Sequence, residues 1–103
     1  MPDFATDVTV VVTGETATLA ISGDVDIATA PGLREQLERL EAPNVVVDLS
    51  GVTFIDSTGL GVLVGALKRA KEAGGQLTLR SPSRSTRKVL DITGLSQLVA
   101  IED

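Results

Sequence analysis

The chain has 103 residues, enough for one domain with a single core. It has no cysteine and no histidine, so disulfides and thiolate metal sites are excluded and the commonest general base is missing. The net charge is −5 and only two residues are aromatic, which argues against nucleic-acid binding. We expect a single domain over residues 1–103, with no catalytic centre, metal or cofactor of its own.

The N-terminus does not read as a secretory leader, because Asp3 and Asp7 interrupt it. The longest uncharged apolar stretch, residues 59–67, is too short to cross a bilayer. These two features predict a cytoplasmic protein with no membrane partner.

The first half of the chain predicts a β-hairpin, a helix and a buried strand. Apolar residues alternate in two runs around the turn Gly14-Glu15, as expected for paired strands. Thr29 is a candidate helix cap followed by Pro31 in the first turn. The next strand, 45–49, is almost continuously apolar and predicts cover on both faces. The apolar residues of these runs are Val8, Val10, Val12, Ala17, Leu19, Ile21, Leu33, Leu37 and Leu40.

The second half predicts two more helices alternating with two short strands. One helix runs from about Ser57 to Ala73 and ends at Gly74-Gly75. Strands follow at 77–79 and 99–101, separated by a helix that starts after Pro82. The order β-β-α-β-α-β-α-β predicts an α/β fold: a mixed sheet with an N-terminal hairpin, right-handed βαβ crossovers, and helices packed on the sheet.

Asp56 and Ser57 form a polar pair between the buried strand and the helix predicted from about Ser57 to Ala73. Asp56 and Ser57 can each cap a helix, so one interpretation makes Ser57 a structural cap. In the other, Asp56 caps the helix and Ser57 presents its hydroxyl outward, at a helix end that tolerates an anion. Thr58 is a second hydroxyl and a possible alternative acceptor of a phosphate.

The helix after Ser57 carries more small and apolar residues than one buried stripe needs. Helical spacing places Leu60, Leu63, Val64 and Leu67 toward the sheet. Two interior glycines on the remaining face cost about 1 kcal/mol each relative to alanine, which favours close approach of a partner over packing inside the domain. We expect this outer face to contain Gly61, Val62, Gly65, Ala66 and Arg69.

Two charged segments have competing interpretations. Asp24 and Asp26 end the second strand, where they form either a solvated loop or part of the same binding surface as Ser57. The basic residues between Arg80 and Lys88 either form a solvated helix face or attract an acidic partner. A phosphate-cradling nucleotide loop has no support, since no G-x-x-x-x-G-K-[ST] run is present.

The run Asp56-Ser57-Thr58-Gly59-Leu60-Gly61-Val62 resembles the anti-sigma factor antagonists, single-domain members of the STAS superfamily. The resemblance spans nearly the whole chain and includes Gly23-Asp24-Val25-Asp26. It implies a bacterial regulator whose unphosphorylated form binds an anti-sigma factor, a serine kinase, and so frees a sigma factor. It further implies phosphorylation at Ser57 and reversal by a PP2C-type phosphatase. We expect partner contacts from Asp56, Thr58 and Gly59, which flank Ser57.

A different function is compatible with the same fold. A STAS-like structural subunit of a transport or signalling scaffold would leave Ser57 unmodified. A nucleotide-binding or hydrolysing domain is the least favoured class. The sequence therefore predicts a binding module rather than an enzyme.

Overall fold

Strand pairing in the computed structural model, which describes residues 7–103, follows the order of the chain. The five-stranded sheet has the order β1-β2-β3-β4-β5; β1 and β2 are antiparallel, and the remaining neighbours are parallel. The predicted mixed sheet with a hairpin and βαβ crossovers is confirmed. Asp3, one of the two acids noted at the N-terminus, lies outside the described residues. The elements are β1 (Asp7–Thr13), β2 (Thr16–Val25), α1 (Ala30–Glu38), β3 (Asn44–Ile55), α2 (Ser57–Glu72), β4 (Leu77–Arg80), α3 (Arg84–Ile92) and β5 (Ala100–Glu102), with a 3-10 turn at Leu95–Gln97.

The core lies on one face of the sheet. Alternate residues of the three central strands are buried, whereas Thr18, Val46 and Thr78 on the opposite face are half-buried. Sequential right-handed crossovers place successive helices on the same face, which explains this asymmetry. The prediction that β3 is covered on both faces is therefore wrong within the described residues. The buried strand residues are Ala17, Leu19, Ile21, Val25, Val45, Val47, Leu49, Val52, Ile55, Leu77 and Leu79.

The helix α1 begins where the sequence predicts, but its cap differs. Thr29 is the N-cap residue without a capping hydrogen bond from its side chain. Instead its Oγ1 donates to the backbone carbonyl of Asp24 at 3.0 Å. The carboxylate of Asp26 accepts from the backbone N–H of Ala28 at 3.0 Å and of Thr29 at 3.1 Å. The turn before α1 is therefore held by Asp26.

The strand β3 continues well beyond β4. Its last pair with β4 is Asp48 with Arg80, whereas its pairing with β2 extends to Ile55. Two register shifts, between Ala20 and Ser22 and between Gly23 and Asp24, add two unmatched residues to β3. The final part of β3 thus pairs with β2 but not with β4, and it leads directly into α2.

Candidate functional site

Two adjacent polar side chains at the start of α2 have different roles. Asp56 is the N-cap, and its Oδ1 accepts a hydrogen bond from the backbone N–H of Gly59 at 3.0 Å. Ser57 is the first helical residue and is exposed. Of the two interpretations left open by the sequence, the structure favours the second, in which Asp56 caps the helix. The Ser57 hydroxyl is available to solvent at the positive end of the helix dipole.

The next two residues turn progressively into the protein. Thr58 is half-buried and so is less exposed than Ser57. Gly59 is buried, and a Cβ there would lie 2.7 Å from Val25 Cγ1 and 2.8 Å from Ile55 Cγ1. Gly59 therefore lets α2 approach the ends of β2 and β3. The prediction that Gly59 contacts a partner is wrong for this conformation.

The predicted faces of α2 are out of phase by about one residue. Val62 and Ala66, expected on the outer face, are 1% and 4% exposed and belong to the core. Val64, expected to face the sheet, is 36% exposed. Val62 and Ala66 are therefore removed from the predicted partner surface, because neither side chain reaches solvent. The stripe that packs on the sheet is formed by Gly59, Val62, Leu63, Ala66, Leu67 and Ala70.

The two glycines of the predicted outer face differ. Gly61 is exposed, and a Cβ there would meet nothing within 4 Å. At Gly65 a Cβ would lie 3.5 Å from Nη1 of Arg69, whose guanidinium turns toward Glu38 of α1 at 3.9 Å. That distance is ordinary van der Waals contact, so packing within the domain does not require a glycine at position 65, and the predicted partner contact of Gly65 stays a prediction. Gly61 is therefore compatible with the predicted close approach of a partner to α2.

An apolar depression adjoins Ser57. It has a volume of about 300 Å³ and lies between the exposed stripe of α2 and the chain after α3. Leu98, which lines the depression, is 58% exposed, and Val64 on the facing helix is 36% exposed. We call this surface the Ser57 groove; it is lined by Ser57, Leu60, Gly61, Val64, Thr93, Leu95 and Leu98.

Sequence reasoning missed Leu60, Val64 and Leu98 as groove residues. A signal for Val64 was present, because Lys68 and Lys71 follow it by four and seven residues and so share its face of the helix. No comparable signal marks Leu98, which reaches the groove through the tertiary fold.

Comparison with known proteins agrees with this geometry. Residues 7–103 match the STAS domain family. The chain belongs to the STAS domain family. This STAS domain is 41% identical over 83 residues to the anti-sigma-B factor antagonist of Bacillus subtilis, covering 79% of the chain and 76% of that relative.

Solved structures give the same result at the level of the fold. A putative anti-sigma factor antagonist of Thermotoga maritima aligns with a TM-score of 0.86 and 28% identity, over 93% of this STAS domain and 86% of that chain. The phosphorylated form of the Bacillus cell fate determinant SpoIIAA aligns with a TM-score of 0.76 and 22% identity, over 94% and 92%. The second likeness concerns the fold alone.

The ends of β2 and β3 meet beside the start of α2, as the sequence predicts. The backbone N–H of Asp56 donates to the carbonyl of Val25 at 3.1 Å. The carboxylate of Asp24 accepts from Thr53 Oγ1 at 2.6 Å, and that of Asp26 holds the α1 turn. Asp24 and Asp26 therefore both make structural hydrogen bonds within the STAS domain, a role that neither interpretation of the sequence considered.

The basic cluster is partly neutralised inside the STAS domain. Arg80 Nε lies 2.7 Å from Glu102, and Arg87 Nη1 lies 3.3 Å from Asp103. These exposed pairs favour the solvated-face interpretation over an anion site.

No group of three or more potential metal-binding side chains occurs in residues 7–103. Among the helices of the same residues, none is both long and apolar enough to span a membrane.

Proposed function

We propose that this STAS domain is an anti-sigma factor antagonist whose activity is switched by phosphorylation of Ser57. The relationship to proteins of that name supports the general role. The main support for the switch is that Ser57 is exposed, does not cap α2 and adjoins an apolar groove. In this role the domain is a phosphate acceptor and binding module in the bacterial cytoplasm, not an enzyme.

The unphosphorylated form binds through the Ser57 groove. Val64 and Leu98 supply exposed apolar area whose removal from water stabilises a complex. The open space above Gly61 allows a partner's backbone or side chain to approach α2 closely. The partner is an anti-sigma factor, which releases its sigma factor when it is held by this surface.

Phosphorylation closes the surface by electrostatics and hydration. A phosphate adds about −1.5 to −2 charges and three acceptor oxygens at the rim of the groove. Asp56 adds like charge one residue away, and covering the phosphate requires stripping its water. A penalty of about 3 kcal/mol already weakens binding by more than roughly 100-fold. Because the helix dipole stabilises an anion at this end, the fold is retained.

The phosphoryl group comes from the anti-sigma factor acting as a serine kinase. Ser57 Oγ attacks the γ-phosphorus of ATP, the bond from that phosphorus to the bridging oxygen breaks, and ADP leaves. The hydroxyl proton passes to a base of the kinase, which also holds ATP and Mg²⁺. A PP2C-type phosphatase hydrolyses the ester and restores the hydroxyl. This STAS domain supplies the acceptor oxygen and the docking surface.

The test combines site mapping with a matched pair of variants. With kinase and ATP we expect one phosphate on the wild type and on Thr58→Val, and none on Ser57→Ala. By calorimetry, Ser57→Asp should bind the kinase about 100-fold more weakly than wild type, whereas the neutral, similarly sized Ser57→Asn loses less affinity. Equal affinity of Ser57→Asp and wild type would show that charge does not gate the complex.

Native cells provide the decisive context. A phosphorylated pool mapped to Ser57 by intact mass supports the switch. Absence of that pool together with co-purification of a membrane transporter would support a structural subunit instead.

A further inference from the structure

The two edge strands of the described sheet differ in how well they resist pairing with another strand. The edge strand β5 has three residues, ends at the acid Glu102 and is followed by Asp103, which are features that protect an edge. The other edge, β1, has seven residues, and residues 8–13 carry no charge. It is long enough to pair with another strand, and no charged side chain opposes that pairing.

The hairpin register determines which backbone groups of β1 face outward. Thr13 pairs with Thr16 across a two-residue turn, so this closing pair is hydrogen-bonded. Hydrogen-bonded pairs alternate in an antiparallel ladder, and β1 therefore bonds to β2 through its odd-numbered residues. The backbone N–H and C=O groups of Val8, Val10 and Val12 point away from β2, toward the free side.

We infer that β1 pairs antiparallel with β1 of a second copy of this chain, joining the two sheets into one of ten strands. With the axis at Val10, that residue faces its own equivalent, and Val8 faces Val12 of the second copy. Each of the three pairs exchanges two backbone hydrogen bonds, giving six in total. Pairs of β-branched side chains are favourable neighbours across strands.

The charges flanking β1 are compatible with this register. Asp7 faces Thr13 of the second copy, and the two Asp7 carboxylates lie about 20 Å apart along the strands. That separation is roughly twice the Debye length at physiological ionic strength, so their repulsion is screened.

A second copy fits the edge better than an unrelated strand. Self-pairing of β1 is isologous and closes after two chains, whereas pairing of β1 with β5 would be open-ended and would meet the acids of a three-residue strand. Pairing also covers Val12, which is 59% exposed on the isolated chain. The strand β2 separates this edge from β3 and α2, so the dimer leaves both Ser57 grooves open.

The first measurement is sedimentation equilibrium of the wild-type chain over a concentration series. We expect a monomer–dimer equilibrium with a limiting mass of twice the chain. A monomer at every concentration up to about 1 mM would overturn the inference, since this is the scale of the weakest specific affinities. A complex with a different protein at β1, without self-association, would overturn it equally.

The second measurement tests the register and exploits the absence of cysteine. In the proposed dimer the two Cα atoms at position 10 are about 5.5 Å apart, so the two side chains of Val10→Cys can form a disulfide. The matched control Val12→Cys lies on the same strand and face, but its equivalents are about 14 Å apart, beyond the limit of roughly 7 Å. Under mild oxidation we expect at least about tenfold more covalent dimer from Val10→Cys. Equal yields would mean random collision and contradict the register.

Discussion

Asp56 and Ser57 are neighbours in sequence but have different roles, since the Asp56 carboxylate caps α2 and Ser57 is exposed to solvent. The Asp56 carboxylate satisfies a backbone N–H that the helix cannot pair, whereas the Ser57 side chain is exposed. Both residue types are good caps, so residue identity alone does not decide between them. The sequence left open whether Ser57 caps the helix or presents its hydroxyl outward, and the position at which the helix starts decides between the two.

This division of roles predicts unequal effects on stability. Asp56→Ala should lower the free energy of unfolding by about 1 kcal/mol, because a cap is lost. Ser57→Ala should change it by less than about 0.5 kcal/mol, as for an ordinary surface position. Urea unfolding followed by circular dichroism measures both values. A larger loss for Ser57→Ala than for Asp56→Ala would assign the cap to the serine.

Gly59 and Gly61 form a second matched pair at the residue scale. Gly61→Ala should raise the stability by up to about 1 kcal/mol, because its Cβ meets nothing and alanine favours the helix. Gly59→Ala should lower it by about 1–3 kcal/mol, because its Cβ would collide with Val25 and Ile55. The same unfolding experiment measures both changes.

Gly61→Ala also separates fold from function. If the anti-sigma factor approaches α2 at Gly61, the added methyl group should weaken binding by about tenfold, or 1.4 kcal/mol, while the fold gains stability. Unchanged binding by a stabilised variant would place the contact elsewhere on the surface.

At the scale of the element, α2 shows where sequence patterning loses resolution. Residues 59–67 are all apolar or glycine, so two helical phases that share Leu63 and Leu67 fit the pattern equally well. The sheet selects the phase that buries Val62 and Ala66, since Gly59 must fit against β2 and β3. The existence and extent of the helix were predictable, but its rotation depended on this close contact.

The observed phase makes two valines of α2 unequal. Val62→Ala should cost about 2 kcal/mol of unfolding free energy, because the side chain is 1% exposed and its loss leaves a cavity. Val64→Ala should cost less than about 0.5 kcal/mol but weaken binding at the Ser57 groove. Thermal or urea unfolding, paired with calorimetric binding, distinguishes them. Equal losses of stability would restore the phase predicted from the sequence.

At the scale of the whole molecule, the topology was predictable and the layering was not. Alternation in β1 and β2, turn residues and helix stops are local signals, and they suffice for the element order. Val46 is apolar yet half-buried, so an apolar run in β3 suggested cover on both faces that the described helices do not provide. Which face receives the helices depends on the handedness of the crossovers rather than on composition.

On the face of the sheet that the helices leave open, Asp48 lies beside Arg80 of the neighbouring strand, and Asp48 affects stability in acid. Hydrogen bonds from Ser50 hold the pKa of Asp48 below its ordinary value of 3.8, and Arg80 on the neighbouring strand acts in the same direction. A lowered pKa contributes stability that is complete above pH 3.8 and is lost as the pH falls through the folded-state value. The wild type should therefore lose stability below about pH 4.

Asp48→Asn removes this titration. Its free energy of unfolding should fall less steeply than that of the wild type on the acid side, and the two curves should run parallel near neutral pH. Urea unfolding at a series of pH values measures the slopes. Identical acid slopes would show that Asp48 titrates alike in the folded and unfolded chains.

The extension of β3 beyond β4 has a consequence for the proposed phosphorylation of Ser57. Seven residues, 49–55, follow the last pair with β4 and carry the first turn of α2 as much as about 20 Å along the strand direction. An acceptor oxygen must reach within about 3–3.5 Å of the γ-phosphorus, inside a cleft from which water is excluded. The Ser57 hydroxyl lies at the end of this extension beside the chain after α3, so a kinase that uses it as the acceptor must enclose the Ser57 groove as well.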